Sequence, residues 1–223
     1  MEFKRWRNLS EILPQDVEEF CNSFNSEEPI LRELRELATR EKVPILLPSA
    51  AQLLRLIVKL RKPRKVLEVG TGIGYSTLTI HFASPESSIT TVDSNPKRLK
   101  TAESFFQRAN APVETVLADG LEFMREALSA GEEYDLIFID STKGEYPFYI
   151  YKVEALLSDR GIAIFDNVLF RGLVAKDEEE IPDKYKRSTN LLKLFLNQLV
   201  KFPNYSTIIL PIGDGFAIHQ PLR

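Results

Sequence analysis

The sequence predicts an α/β protein: an open, doubly wound, mostly parallel sheet with helices on both faces and extra helices at the N-terminus. Three observations carry that expectation. From Lys65 onward, short apolar runs alternate with stretches of helical periodicity. The first run, Lys65-Val66-Leu67-Glu68-Val69, passes through Gly70, Gly72 and Gly74 into a helical pattern from Ser76 to Phe82. This is the strand, tight turn and helix of a nucleotide-type cofactor site. Several apolar runs also end on a polar side chain, as expected where ligands sit beyond the carboxyl ends of parallel strands.

In chain order, Met1 to about Arg40 reads as helices broken near Pro14, with Lys4, Arg5 and Arg7 beside Trp6 as a solvated basic terminus or an RNA contact. Ser26-Glu27-Glu28-Pro29 opens a helix on which Ile30, Leu31, Leu34, Leu37 and Ala38 recur at helical spacing. Val43 to Leu47 leads into Pro48-Ser49, where Ser49 is the expected N-cap of a helix carrying Leu53, Leu54, Leu56, Ile57 and Leu60. Strands are expected at about 65–70, 88–93, 113–118, 134–140 and 160–166, with helices between them. The acidic stretch around Lys176 to Glu180 reads as a mobile loop. A helix with Leu191, Leu192, Leu194, Phe195 and Leu199 follows, then two short strands, Tyr205–Leu210 and Phe216–His219, around Pro211-Ile212-Gly213-Asp214-Gly215. The strand count is seven. The organisation is one domain, 1–223, with a helical cap at 1–62 and a cofactor-binding and catalytic core at 63–223.

Composition narrows the function classes. A chain of 223 residues with 43% hydrophobic content can bury a substantial core. Its net charge of -3 gives no general attraction to nucleic acid or anionic membrane. No apolar run approaches the roughly 20 residues needed to cross a bilayer, and no signal-peptide core is visible, so a cytoplasmic protein is expected. The lone Cys21 forbids an internal disulfide and a cysteine metal cluster. His81 and His219 are too far apart in sequence to suggest a shared site.

The candidate chemistry lies at the strand ends. Tyr75 occupies the position where a dinucleotide fingerprint wants glycine, which disfavours a pyrophosphate cradle, and Glu68 would repel phosphate but accept from an amino group. Asp93, about twenty residues past the glycine turn, suits both hydroxyls of a ribose, or else caps the helix that begins at Asn95-Pro96. Asp119-Gly120 suits an adenine amino group or a helix cap. The runs ending at Asp140 and at Asp166-Asn167 bring two carboxylates and an amide together if their strands are adjacent. That set suits Mg²⁺ or Mn²⁺, with Ca²⁺ possible, over zinc; the alternative is a pair of caps. Lys143 is either a solvated loop lysine or, beside a dication that disfavours its charged form, a general base.

The run Leu67-Glu68-Val69-Gly70-Thr71-Gly72-Ile73-Gly74-Tyr75-Ser76, with Asp140, Lys143, Asp166 and Asn167, resembles the cation-dependent S-adenosylmethionine O-methyltransferases of the catechol and caffeoyl-CoA type. The resemblance covers about Val43 to the C-terminus. It implies the class I methyltransferase fold, Rossmann-like, with its last strand antiparallel. It also implies a metal held by Asp140, Asp166 and Asn167, with Lys143 as base. Cofactor contacts are implied at Leu46, Glu68, Gly70, Gly72, Tyr75, Ser76, Asp93, Asp119, Gly120 and Asp140, with Ser76 near the amino-acid end. Asp166-Asn167-Val168-Leu169-Phe170-Arg171-Gly172 and Leu210-Pro211-Ile212-Gly213-Asp214-Gly215 are similar to the bacterial branch, which includes tRNA 5-hydroxyuridine methyltransferases. An arginine that many bacterial relatives carry is missing from Leu191-Leu192-Lys193-Leu194-Phe195. The implied substrates are a hydroxylated tRNA uridine or a small catechol-type molecule, with Lys184, Lys186, Arg187, Arg171 and Lys176 as a basic rim. A homodimer is implied through the N-terminal helices. A non-catalytic cofactor-binding module and a nicotinamide-dependent dehydrogenase are the competing readings, the second opposed by Tyr75.

Overall fold

The structure is a computed structural model that describes residues 15–222; the basic cluster at Lys4, Arg5, Arg7 and Trp6 and the break at Pro14 lie outside the described residues. Its centre is a seven-stranded sheet: β1 (Lys65–Val69), β2 (Ser88–Asp93), β3 (Val113–Leu117), β4 (Tyr134–Ile139), β5 (Leu157–Phe165), β6 (Tyr205–Leu210) and β7 (Phe216–Pro221). The spatial order is β3-β2-β1-β4-β5-β7-β6, parallel except for β7, which runs antiparallel to both of its neighbours. This is the expected class, antiparallel last strand included. The order reverses at β1 and β4, so the cleft between their carboxyl ends is the topological switch point where ligands bind.

The eight helices of the described residues are α1 (Gln15–Asn22), α2 (Pro29–Glu41), α3 (Pro48–Arg61), α4 (Tyr75–Ala83), α5 (Pro96–Arg108), α6 (Gly120–Ser129), α7 (Tyr146–Leu156) and α8 (Asp183–Val200). Strand alternation sorts side chains onto two faces. Val66, Leu136, Phe138, Ile162 and Ile164 pack with α2 to α5, while Leu67, Val69, Ile137, Ile139 and Phe165 pack with α6 to α8. The continuous apolar strands are those of a sheet buried on both sides.

Three local expectations are corrected. Ser49 is not the cap of α3: the helix starts two residues earlier than that cap requires, at Pro48, with Leu47 in the cap position, and the Ser49 hydroxyl donates to Glu18 at 3.1 Å. Proline suits the first helical position because its missing N–H is unneeded there. The segment around Lys176 to Glu180 is ordered as two 3₁₀ turns, the second closed by a capping box between Asp177 and Glu180. Strand β5 begins at Leu157, with a register irregularity before the regular ladder from Ile162 to Phe165.

Candidate functional site

The ladder hydrogen bonds continue past the strand ends and fix the site. Asp140 N donates to Val69 O at 2.9 Å, and Asp166 N donates to Ile139 O at 3.0 Å. The two acids therefore sit on adjacent strand tips, as the sequence pattern requires. Asp166 is 2% exposed. Burial first, and the Asp140 charge second, push its carboxyl well above the usual carboxylate range, while the nearby Lys143 opposes the shift. Its two oxygens accept from Asn167, Oδ1 from the backbone N–H at 2.7 Å and Oδ2 from the side-chain amide at 2.8 Å. Asn167 holds a left-handed φ of 57°, which turns its amide back over the carboxylate.

Lys143 closes the group. It is 8% exposed, with Nζ 3.5 Å from Asp140 Oδ1, 3.2 Å from Ser141 O and 3.1 Å from the Tyr146 hydroxyl. Tyr146, fully buried, donates in turn to Asp166 O at 2.6 Å. One phenol thus ties the lysine to the neighbouring strand tip. Sequence reasoning missed it, although a tyrosine three residues after a candidate base, in Lys143-Gly144-Glu145-Tyr146, lies within one helical turn of that base.

The donor set suits a hard divalent cation. Two carboxylates side by side, one sealed from water, repel each other, and a dication removes that repulsion. Among the described residues no group of three His, Cys, Asp or Glu side chains is placed to hold a metal, so a third protein ligand here would be the amide oxygen of Asn167. Rotating that amide presents its oxygen in place of its nitrogen without changing its shape.

A cavity of about 530 Å³ opens above these tips, lined by Gly70, Gly72, Asp93, Asp119, Gly120, Asp140, Lys143 and Asn167 among others. Gly70 is there because nothing larger fits: a Cβ would stand 2.0 Å from the Asp140 carbonyl oxygen, and its φ is 103°. Gly120 is pressed in the same way against Val69 and Tyr149. Asp93 accepts from Gly72 N and Asn95 N, both at 2.8 Å, and so braces the glycine turn; Asn95 itself caps α5. Asp119 caps α6 through Glu122 N at 3.0 Å while lining the cavity. Both acids hold backbone and face the cavity at once.

Leu46, Glu68, Tyr75, Ser76 and Asp166 stand behind the cavity wall. Leu46 packs in the core while its neighbours Ile45 and Leu47 line the opening. The Tyr75 hydroxyl donates to Glu27 at 2.6 Å. Glu68 is fully buried, with Oε2 accepting from the hydroxyls of Thr77 and Thr91 and Oε1 without a partner. Burial pushes its carboxyl up to about 7, and the neighbouring hydroxyls of Ser76, Thr77 and Thr91 moderate the rise. Arg98, Glu145, Arg171, Gly213 and Asp214 complete the lining.

This geometry can be set beside known proteins. The signature of the O-methyltransferase family matches residues 21–221. The chain belongs to the O-methyltransferase family. It is by that membership an S-adenosylmethionine-dependent enzyme that methylates oxygen, as the motifs led us to expect. The caffeoyl-CoA O-methyltransferase of Stellaria longipes is 29% identical, over 87% of this chain and 84% of its own. The tapetum-specific methyltransferase 1 of Arabidopsis thaliana is 27% identical, over 96% and 94%. Among solved structures, the Bacillus cereus O-methyltransferase in complex with SAH superposes with a TM-score of 0.79 at 24% identity, over 92% of this chain and 97% of that one. The SAH-bound Podospora anserina methyltransferase gives 0.81 at 23%, over 93% and 94%. No helix of the described residues is long and apolar enough to cross a membrane.

Proposed function

We propose that this O-methyltransferase acts on one hydroxyl of a small catechol-type molecule, with Mg²⁺ as the preferred cation and Mn²⁺ or Ca²⁺ as alternatives. The observation that carries the reading is the meeting of Asp140, Asp166 and Lys143 beneath a cavity that the glycine turn also lines. Asp140, Asp166 and Asn167 would hold the cation through oxygen, and the bound ion would acidify the substrate hydroxyl and orient it. Lys143 receives the hydroxyl proton at Nζ, which Tyr146 and the Ser141 carbonyl hold in place. Bound S-adenosylmethionine would supply the methyl group to that oxygen, the sulfonium leaving as a neutral thioether, and the cleft, partly shielded from water, would favour the neutralisation of both charges.

The same reading assigns the S-adenosylmethionine side. Gly70 and Gly72 allow close backbone approach, Asp93 takes the ribose, and Asp119 with Gly120 takes the adenine. The unpartnered Glu68 Oε1 supports an acceptor role toward the amino-acid end, with Ser76 beside it and Leu46 and Tyr75 shaping the wall. A homodimer and a cytoplasmic setting belong to the proposal. Exposed Val17 and Phe20 on α1, Phe24 in the turn after it, and Leu56 and Leu60 on α3 support the dimer, and sedimentation at several concentrations tests it.

The deciding experiment combines labelled S-adenosylmethionine with a catechol panel, and separately with hydroxylated tRNA, before and after exhaustive chelation. Cation-dependent transfer to catechols supports the proposal. Transfer that survives chelation, or that goes to tRNA alone, refutes it. The small-molecule reading is favoured because the basic rim is broken: Lys176 pairs with Glu180 at 3.4 Å and Lys186 with Asp183 at 2.8 Å.

A further inference from the structure

We infer that Arg171 binds an anionic substituent, carboxylate or phosphoryl, on the small hydroxylated substrate and so sets the specificity of the cavity. The inference rests on the proposed small-molecule reading and deepens it. Arg171 lines the same cavity as Asp140, Lys143 and Asn167, four residues beyond Asn167 on the loop leaving β5. Among the described residues its guanidinium enters no ion pair. It stands instead 5.8 Å from the centroid of the Tyr185 ring, which meets Phe170 edge-on at 5.5 Å. The aromatic pair braces the cation without neutralising it.

The backbone beneath it is costly. Phe170, Arg171 and Gly172 have φ of 45°, 59° and 75°, a run of left-handed residues of which only the last is glycine. The loop around Gly213 to Gly215 holds them there. Val168 N donates to Gly215 O and Leu169 N to Asp214 O, both at 3.0 Å, and Arg171 N donates to the Asp214 carboxylate. A Cβ on Gly215 would stand 2.4 Å from Leu169 Cγ, so the two loops meet too closely for any other residue. Strain kept at the rim of a reaction cavity, under an arginine with no carboxylate partner among the described residues, fits a specificity device.

The other charges of the cavity are paired or stand away from the proposed substrate side. Lys143 faces Asp140, and Glu145 accepts from Ser141 at 2.8 Å and Tyr149 at 3.1 Å; Arg98, on the first turn of α5 beyond Asp93, lies on the side of the cavity that the proposed reading gives to the ribose. That leaves one planar donor fork on the substrate side, suited to a carboxylate or a phosphoryl group.

The test uses matched substrates that share the catechol and differ in charge: protocatechuate against its methyl ester, and caffeate against methyl caffeate. A catechol with a phosphonate in place of the carboxylate separates the two anions. Wild-type enzyme with Mg²⁺ should prefer the acids by about tenfold in kcat/KM, mostly through KM, since charge-assisted hydrogen bonds exceed neutral ones. Arg171→Ala should collapse that ratio, and any cost common to both substrates cancels in it. Arg171→Lys should retain part of the preference. Arg171→Gly, which suits the left-handed φ, keeps the comparison open if Arg171→Ala folds poorly. Equal acid-to-ester ratios in wild-type and variant overturn this inference alone. A wild-type enzyme that methylates no catechol, or hydroxylated tRNA only, overturns the small-molecule reading and this inference with it.

Discussion

Glu68→Gln isolates the cost of keeping a carboxyl group at the centre of the sheet. Glu68 lies on the face of β1 that otherwise packs apolar side chains, and burial pushes its carboxyl from an ordinary 4.5 up to about 7. Between those values the folded protein holds a proton that the unfolded chain has released, so stability falls as pH rises through the window. The contribution is whole below 4.5 and lost above about 7, and the gap is worth about 3 kcal/mol. Glutamine keeps a carbonyl oxygen for the hydroxyls of Thr77 and Thr91 and puts its amide nitrogen where Oε1 has no partner. The assay is urea unfolding of wild-type and variant at about pH 5 and about pH 8. Other titrating groups cancel in the difference. The variant should gain about 2.5 kcal/mol on wild-type across that range, the rest having been lost below about pH 5. A difference that stays flat with pH would falsify the claim that burial, rather than the threonine hydroxyls, governs this group.

Further outcomes follow from the same geometry. Gly70→Ala drives a Cβ into the Asp140 carbonyl, so it should cost at least about 3 kcal/mol and abolish activity, whereas Gly72→Ala meets nothing within 4 Å and should cost about 1 kcal/mol through its φ of 54°. Thermal melts of the pair decide it, and equal losses would refute the packing argument. Lys143→Met should lower kcat by about a hundredfold or more with KM nearly unchanged in steady-state kinetics. A parallel rise in KM would make Lys143 a binding residue instead. His219 is buried, stacked on Tyr205 at 4.4 Å, with its pKa pushed down to about 4 by burial. Its neutral form is the native one, so stability should be lost as pH falls from 6.5 toward 4, by at most about 3 kcal/mol, and His219→Gln should flatten that acid limb in pH-dependent melts.

The strand tips were legible because a parallel sheet converts one-dimensional order into position: an apolar run that ends in an acid must deliver it to the carboxyl edge. Asp93, Asp119, Asp140 and Asn167 line the cavity on that rule, and Lys143 follows from standing three residues past Asp140. What stayed hidden depends on contacts between distant segments. Ser49 had a good local reason to cap α3, but a partner in α1, Glu18, takes its hydroxyl. The charged run near Glu180 looks solvated by composition, yet Asp177 and Glu180 carry the spacing of a capping box, a signal that was present and outweighed by net charge. Arg171 was visible only as one of several basic residues. Its separation from the paired lysines depends on Asp214, 43 residues away along the chain. Leu46 lies between two cavity-lining neighbours, and strict alternation of facing along that segment puts its side chain in the core and theirs in the cavity.

The contact between Gly70 and Asp140 explains why cofactor turn and acid pair belong to one rigid unit. The missing Cβ lets the turn lie directly on the Asp140 carbonyl, while Asp140 N is bonded to Val69 O on the same strand end. Gly120 repeats the device, wedged between Val69 and the Tyr149 hydroxyl, which also donates to Glu145. A methyl donor seated on the glycine turn and a hydroxyl seated over Asp140 would therefore be positioned from the same backbone atoms. In-line transfer needs its reacting atoms held to within fractions of an ångström, and an error in one seat that is shared by the other costs nothing in their separation. Joining the two seats at the strand ends makes their spacing a property of the sheet, which is the least deformable part of the molecule.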